Sequence, residues 1–451
     1  MSEGKTSTCD PVSRGLSRRA LWLLALAVAV LAVLPRLEPA LRGFNQSPDA
    51  AEYLLIARSL RGGEGFQLPI RVRYSGVAPD APARHEAYGE RAPLYPWALS
   101  LFVSPERGWP TATLQLTGVA LAALAAVLAF GLTWVLAFRR GLPPVSASLA
   151  ALVGGLSVAW QPFLVRASIH LWAEPLGLCL VLGALALALW ERGGWPRLLL
   201  LAIPLVLARH ARPEAWVLAP LVLIWLGHHE GFKAAAKVAL GVAVLEGGIF
   251  ALTGTLAPQL ELFAVGDYRQ LMGPDVSQGP SVVQVLGGVG RNAIHQIEAV
   301  LLPKNAAAIV PLALFALRRQ ATRLPQALAG GLALATILVW STDDPSRFTI
   351  APLCLLALPA APELVSLVRE WAPAQRRRVA LAVVLGAWLG VLGHAGGRSM
   401  RGRSQGEPSL PFAQEGTPTL ADPWTYALAT GQPARLAAPR PEKERPEQEN
   451  Q

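Results

Sequence analysis

The chain has 451 residues, 53% of them hydrophobic and only 16% charged, with a mean hydropathy of +0.38. A soluble domain is about a quarter charged, so this composition excludes a water-soluble globular enzyme. A net charge of +10 would point a soluble protein toward nucleic acid; here it is read as the cations that orient membrane spans.

Apolar runs of about 17–25 residues, each long enough to cross a bilayer as a helix, recur along the chain. A span in lipid must satisfy its own backbone hydrogen bonds. The reading is an all-α polytopic membrane protein.

Residues 1–19 form a short tail carrying Arg14, Arg18 and Arg19. The first run, 20–35, lacks a small-residue cleavage site and meets Pro35-Arg36 at once, so it reads as an uncleaved signal anchor. A long polar loop, 36–110, follows. Further spans are expected at 111–137, 145–160, 170–190, 196–208, 214–227, 236–254, 294–317, 324–340, 348–368 and 379–395. That makes about eleven spans. The tail 396–451 is rich in Pro, Gln and Glu and reads as disordered.

Charge orients the chain. Arg139-Arg140, Arg192, Arg197, Lys233, Lys237, Arg318-Arg319, Arg323, Arg369 and Arg376 to Arg378 fall in alternate connections, which are therefore cytoplasmic. The N-terminus is placed inside; the 36–110 loop and the C-terminal tail are placed outside. Most remaining charges then gather at the outer face: Asp49, Glu52, Glu90, Arg91, Arg166, His170, Glu174, Arg209, His210, Arg212, Glu214, Asp343, Asp344 and Arg347. Ionisable groups beside hydrocarbon usually line a cavity or a pathway. Separate loops are thus expected to build one polar pocket.

Two stretches of the first loop carry the chemistry. In "FNQSPDAAEYLLIARSLRGGEGF", Ser47 suits an N-cap and Pro48 the first helical position. The predicted helix runs from Asp49 to about Leu60, with Tyr53, Ile56, Ala57 and Leu60 on one face and Gly62-Gly63 after it. Such a helix can lie on the membrane surface. Asp49 either complements the helix dipole, for about 0.3–1 kcal/mol, or serves as an ionised base for an acceptor hydroxyl. In "YGERAPLYPWALSLF", Pro93 and Pro96 are expected to fix an extended turn around Leu94-Tyr95. Tyr95 and Trp97 suit an interfacial belt, and Arg91 suits a lipid phosphate.

The three cysteines, Cys9, Cys179 and Cys354, are too far apart for a disulfide framework or a zinc motif. The histidines show no metal spacing.

Together, "DAAEYLLIARSLRGGEGF" and "ERAPLYPW" resemble the membrane glycosyltransferases of the GT-C type. The resemblance is to the protein O-mannosyltransferases and the bacterial aminoarabinose transferases acting on lipid A. "QPFLVRASIHLWAEPLGL", "ARHARPEAW" and "DDPSRFTIAPLCLLAL" follow the same outline in the same order. Many members carry two adjacent acids in the first loop; here Ala50 follows Asp49, the next acid is Glu52, and Asp49 is the better match.

The resemblance implies a GT-C-like catalytic domain over 20–395 in a bacterial inner membrane. It implies transfer of a hexosyl or pentosyl group from a polyprenyl-phosphate-linked donor to a lipid, glycan or protein acceptor at the outer face. Asp49 would be the base. Arg91, Arg212 and Arg347 would hold the donor phosphate; Glu52, Tyr53, Glu90, Tyr95 and Glu174 would contact substrates. No cofactor is expected, and Asp49 with Glu52 supplies too few ligands to define a divalent metal site. The rival reading is a transporter or flippase of lipid-linked sugars, which predicts charges near the bilayer midplane on broken spans.

Overall fold

A computed structural model of the chain describes residues 17–42, 48–68, 85–86, 92–103, 111–190, 194–253, 309–318, 323–339 and 348–373, with scattered positions in 290–297 and 375–390. The N-terminal tail, residues 43–47, 69–84, 87–91 and 104–110 of the first loop and the tail after 390 lie outside the described residues. So does most of the span expected at 294–317.

The architecture is helical. α1 is Arg18–Arg42, α2 Pro48–Arg61, α3 Leu94–Ser100 and α4 Thr111–Arg139. α5 is Pro144–Ala159, α6 Pro162–Ile169, α7 Glu174–Leu189 and α8 Gly194–Ala211. After a 3-10 turn, Pro213–Val217, come α9 Leu218–His229 and α10 Phe232–Thr253. α11 Ile309–Phe315, α12 Arg323–Val339 and α13 Ile350–Trp371 complete the bundle. A two-residue antiparallel ribbon, Gln67–Leu68 with His85–Glu86, ties the first loop to itself. Among the described residues, α1, α4, α10 and α13 are each long and apolar enough to cross a membrane, and the bent α5–α6 pair would add a fifth.

α4 is central and packs on α1, α5, α6, α7 and α13. Alanine and glycine on its neighbours allow that closeness, since small residues let backbones approach in lipid. On α4, Ala126 is buried in one cluster with Ala151 of α5 and Ala137 in another with Ala147 and Ala150, while Ala122, Ala125 and Ala129 are buried with Leu178, Val181 and Leu182 of α7. At Gly118, an added Cβ would stand 2.3 Å from the carbonyl oxygen of Ser168 in α6.

α1 departs from expectation. The apolar run was expected to end at 35, yet the helix continues through Pro35 and Pro39 to Arg42. Pro35 has no N–H to offer the carbonyl of Leu31. The indole Nε1 of Trp160 donates to that carbonyl instead, at 3.0 Å. The extension buries Arg36 completely. Its Nε donates to Ser168 Oγ at 2.9 Å and its Nη2 to the Ala159 carbonyl at 2.6 Å, while Nη1 donates to Ala32 within α1.

The first-loop helices also differ in detail. α2 runs within a residue of its expected bounds, but it is covered by protein rather than lying on one face. Ala50 and Tyr53 to Ala57 are all buried, packed with Phe66, Tyr95, Leu99, Leu114 and Leu171. Leu94-Tyr95 is helical, not extended. Pro93 takes the N-cap position and Pro96 falls in the first turn, where a missing N–H costs no intrahelical bond.

At the end of the bundle opposite α2 and α3, arginines serve the backbone. Arg139 donates to the carbonyl of Leu189, the last residue of α7, and Arg197 donates to that of Trp190. Arg197 also pairs with Glu230, and Arg140 pairs with the fully buried Glu363 of α13. The expected basic connections therefore meet at one end.

Gly118→Ala is expected to overpack the α4–α6 crossing, at a cost of about 1–3 kcal/mol. Thermal unfolding in detergent checks this; an unchanged midpoint would show that the crossing has slack.

Candidate functional site

The site is built at the end of the bundle bearing α2 and α3. α5 stops at Ala159, and Gln161 caps α6 by accepting from the N–H of Leu164 at 2.5 Å. α6 leaves α5 at a bend of 51°. The chain then turns at Leu171, whose φ is +54°. That conformation costs a non-glycine residue roughly 1–2 kcal/mol. Burying a leucine side chain contributes about 1.5–3 kcal/mol, and Leu171 is fully buried against α2 and α3. Burial therefore offsets the strain. Trp172 stacks on His170 with centroids 5.5 Å apart, and the Arg166 guanidinium lies 5.2 Å from the Trp172 ring.

This corner delivers Glu174 as the first residue of α7, with Pro175 next, a position where proline is tolerated. Facing it, α8 ends at Ala211 and Arg212 turns extended, at φ −145° and ψ 117°, before Pro213 opens the 3-10 turn. Arg212 Nη1 donates to Glu174 Oε1 at 2.8 Å, and Arg212 Nε donates to Glu214 Oε1 at 2.7 Å. The Phe348 ring centroid lies 5.0 Å from the guanidinium carbon. Gly177 makes room for the arginine stem, because a Cβ there would stand 2.6 Å from Arg212 Cγ. All three charged residues are buried.

They form the polar end of an open cleft of roughly 360 Å³, solvent included, between α7, α12 and α13. Leu178, Val181, Leu332, Ile350 and Ala351 make its apolar walls.

Tyr53 of α2 and Tyr95 of α3 meet edge to face at 5.2 Å. Both are buried, and so is Glu52. Burial pushes the Tyr95 phenol well above the ordinary tyrosine range, and the neighbouring Tyr53 and Glu174 push it the same way. Tyr95 is thus a neutral phenol beside the carboxylate end of the cleft.

The structure brings together Glu174 and Arg212 directly, with Tyr95 close by and Tyr53 behind it. Asp49 is the second residue of α2, and its side chain is outside the described residues. Glu90, Arg91, Asp343, Asp344 and Arg347 lie outside them too, although Arg347 directly precedes Phe348 in the chain. Among the described residues, no group of three His, Cys, Asp or Glu side chains stands ready for a metal.

Two features escaped the sequence reading. Glu214 was one outer charge among many; the signal was its place two residues after Arg212, across a proline that makes the backbone turn. Glu246 was hidden within the apolar run of α10. It accepts from Arg209 Nη1 at 3.2 Å and stands 3.1 Å from His210 Nε2. Arg209 and His210 thus face α10, while Arg212 faces the cleft.

No family model matches the chain, and no curated protein matches it. Solved structures do. The crystal structure of ArnT from Cupriavidus metallidurans bound to undecaprenyl phosphate superposes with a TM-score of 0.53 at 12% identity, covering 93% of this chain and 86% of ArnT. The apo form of the same ArnT gives 0.52 at 14% identity, over 93% and 86%. The chain has the ArnT fold. It is a helical, polytopic membrane architecture, as the apolar runs led one to expect, and the likeness to ArnT extends over nearly the whole chain.

Arg212→Ala leaves two buried carboxylates without their shared cation, which typically costs about 3–5 kcal/mol. Denaturation of the purified variant checks this, and adding Glu214→Gln is expected to recover part of the loss. For Tyr95, the folded pKa lies above the unfolded value, so its contribution to stability is complete below about pH 10 and falls as pH rises further. Tyr95→Phe is expected to flatten that alkaline decline, measured by unfolding between neutral and strongly alkaline pH.

Proposed function

We propose that the protein is a glycosyltransferase that moves a sugar from a polyprenyl-phosphate-linked donor to an acceptor at the outer face of the membrane. The observation that carries this reading is the amphipathic cleft. Its polar end is Glu174, Arg212 and Glu214, and its walls are apolar. It occurs in a fold shared with ArnT, whose structure was solved with undecaprenyl phosphate bound. A lipid-linked donor has the matching division, with a polar head and a hydrocarbon tail.

In this reading Asp49 takes the proton of an acceptor hydroxyl as its oxygen attacks the anomeric carbon. The bond from that carbon to the phosphate oxygen breaks, and the configuration inverts. Asp49 sits in the first turn of α2, where the helix dipole keeps a carboxylate ionised. Arg91, Arg212 and Arg347 stabilise the leaving phosphate's charge. Tyr53, Tyr95 and Glu174 shape the sugar end; Glu52 and Glu90 complete the first-loop contacts. The group transferred is a hexosyl or pentosyl unit, and the acceptor is a lipid, glycan or protein. The N-terminus is cytoplasmic and the C-terminus extracytoplasmic, in an inner membrane.

A transporter would use charges within broken spans. The bend between α5 and α6, with Arg36 beside it, and Glu246 in α10 are such features. Both sets are bonded within the packed bundle, whereas the cleft opens at one end. The transferase reading accounts for that placement and the transporter reading does not.

The test is transfer of a labelled sugar from polyprenyl phosphate in membranes. Asp49→Ala and Asp49→Asn are each expected to lose about 10²–10⁴-fold in turnover at normal expression. Near-wild-type turnover in both would remove Asp49 as the base, and a wild type without transfer would remove the reading itself.

A further inference from the structure

Glu214 has an unused half. Its Oε1 is engaged by Arg212, but its Oε2 is buried and makes no hydrogen bond among the described residues. The residue is only 8% exposed, and it lines the cleft. A buried carboxylate oxygen without a donor is costly, and a position that keeps one is fitted for a ligand that supplies the donor.

Charge decides which part of a ligand that is. The described ionisable groups lining the cleft are Glu174, Glu214 and Arg212, two carboxylates to one guanidinium. The single cation already shares its hydrogen bonds between both acids. A phosphate set against Oε2 itself would meet a like charge, so that oxygen does not receive the phosphate. The group that fits Oε2 donates a hydrogen bond and carries no negative charge. Ring hydroxyls of a sugar meet both conditions, and the Leu178 and Ile350 walls suit the C–H faces of the same ring.

We propose that Glu214 is a sugar-selecting residue whose Oε2 accepts a hydrogen bond from one ring hydroxyl of the donor. Glu174, tied to the same guanidinium, holds the other side of that ring. The inference rests on the transferase reading and adds to it the residue that chooses the sugar. A site built to bind a hydroxyl rejects the analogue that lacks it far more strongly than a hydrophobic pocket discriminates one methylene, so Glu214 sets selectivity more than turnover.

The experiment uses the full-length purified protein in proteoliposomes, with polyprenyl phosphate carrying a hexose or pentose and the matching set of monodeoxy analogues. Glu214→Gln is the informative variant. Its amide oxygen can still accept from Arg212 Nε, so the cluster and the fold survive, while the Oε2 position becomes a donor. The expected result is a donor KM raised about tenfold or more on the parent sugar, with kcat changed much less. The penalty should fall below about threefold on one deoxy analogue, the one lacking the selected hydroxyl. Unfolding midpoints close to wild type confirm that the variant is folded. An unchanged donor KM together with an unchanged ranking of the deoxy donors would overturn the assignment while leaving the transferase reading intact. Absence of transfer from every donor by the wild type would instead overturn the transferase reading and this inference with it.

Discussion

The charged end of this bundle depends on a corner, and Arg36 holds that corner. The α5–α6 bend sets the direction in which the chain re-enters the bundle and therefore where Glu174 emerges. A bend frees backbone carbonyls, and in a lipid-embedded bundle a freed carbonyl needs a donor from the protein. Arg36 supplies one to the carbonyl of Ala159 at the end of α5, and it also donates to the hydroxyl of Ser168 in α6. Trp160 in turn donates to Leu31, which Pro35 leaves without its helical partner. The proline in α1 and the break after α5 thus complete each other. The close α4–α6 approach at Gly118 fixes the depth at which the corner rests.

The two ends of the bundle use arginine differently. At one end, Arg139 and Arg197 donate to the last carbonyls of α7 or just beyond it, where a helix presents its partial negative charge. Arg140 and Arg318 approach the fully buried Glu363, tying the α4–α5 turn to α13. These cations are consumed by the scaffold. At the other end Arg212 lies in a cleft wall, 5.0 Å from the Phe348 ring centroid and forked between two acids. A guanidinium is suited to that task, because its donors are fixed in one plane and its charge persists when buried.

Much of this was legible in the sequence, and what was not has physical reasons. Apolar run length located α4, α10 and α13, because lipid demands long uninterrupted helices. Ser47, Pro48 and the Gly62-Gly63 pair bounded α2 to within a residue at each end, because capping is local chemistry. The burial of α2 was not legible: its partners, Tyr95, Leu114 and Leu171, come from three distant segments. α6 was hidden because its eight residues have the composition of a connection. Arg36 looked like the end of a span because proline and arginine usually end one; only the Trp160 indole, 129 residues away in sequence, makes the continuation affordable. For the site, the sequence named Glu174 and Arg212 separately, and pairing needed the α7–α8 geometry. Glu214 lacked any signal beyond its spacing from Arg212.

In the proposed reading, the cleft's charge pattern bears on how one site can serve a donor that is both anionic and polyhydroxylated. Phosphate and sugar make opposite demands: one seeks cations, the other acceptors. Placing both kinds of group at a single point would neutralise each with the other, which is the state of Arg212 between Glu174 and Glu214. Among the described residues the two acids share that one cation, and Glu214 Oε2 remains a buried acceptor without a donor. Anion-binding capacity then has to come from separate segments, and the sequence supplies it in Arg91 of the first loop and in Arg347, the residue before Phe348. In that reading the acids select the sugar, while Arg91, Arg212 and Arg347 hold the phosphate.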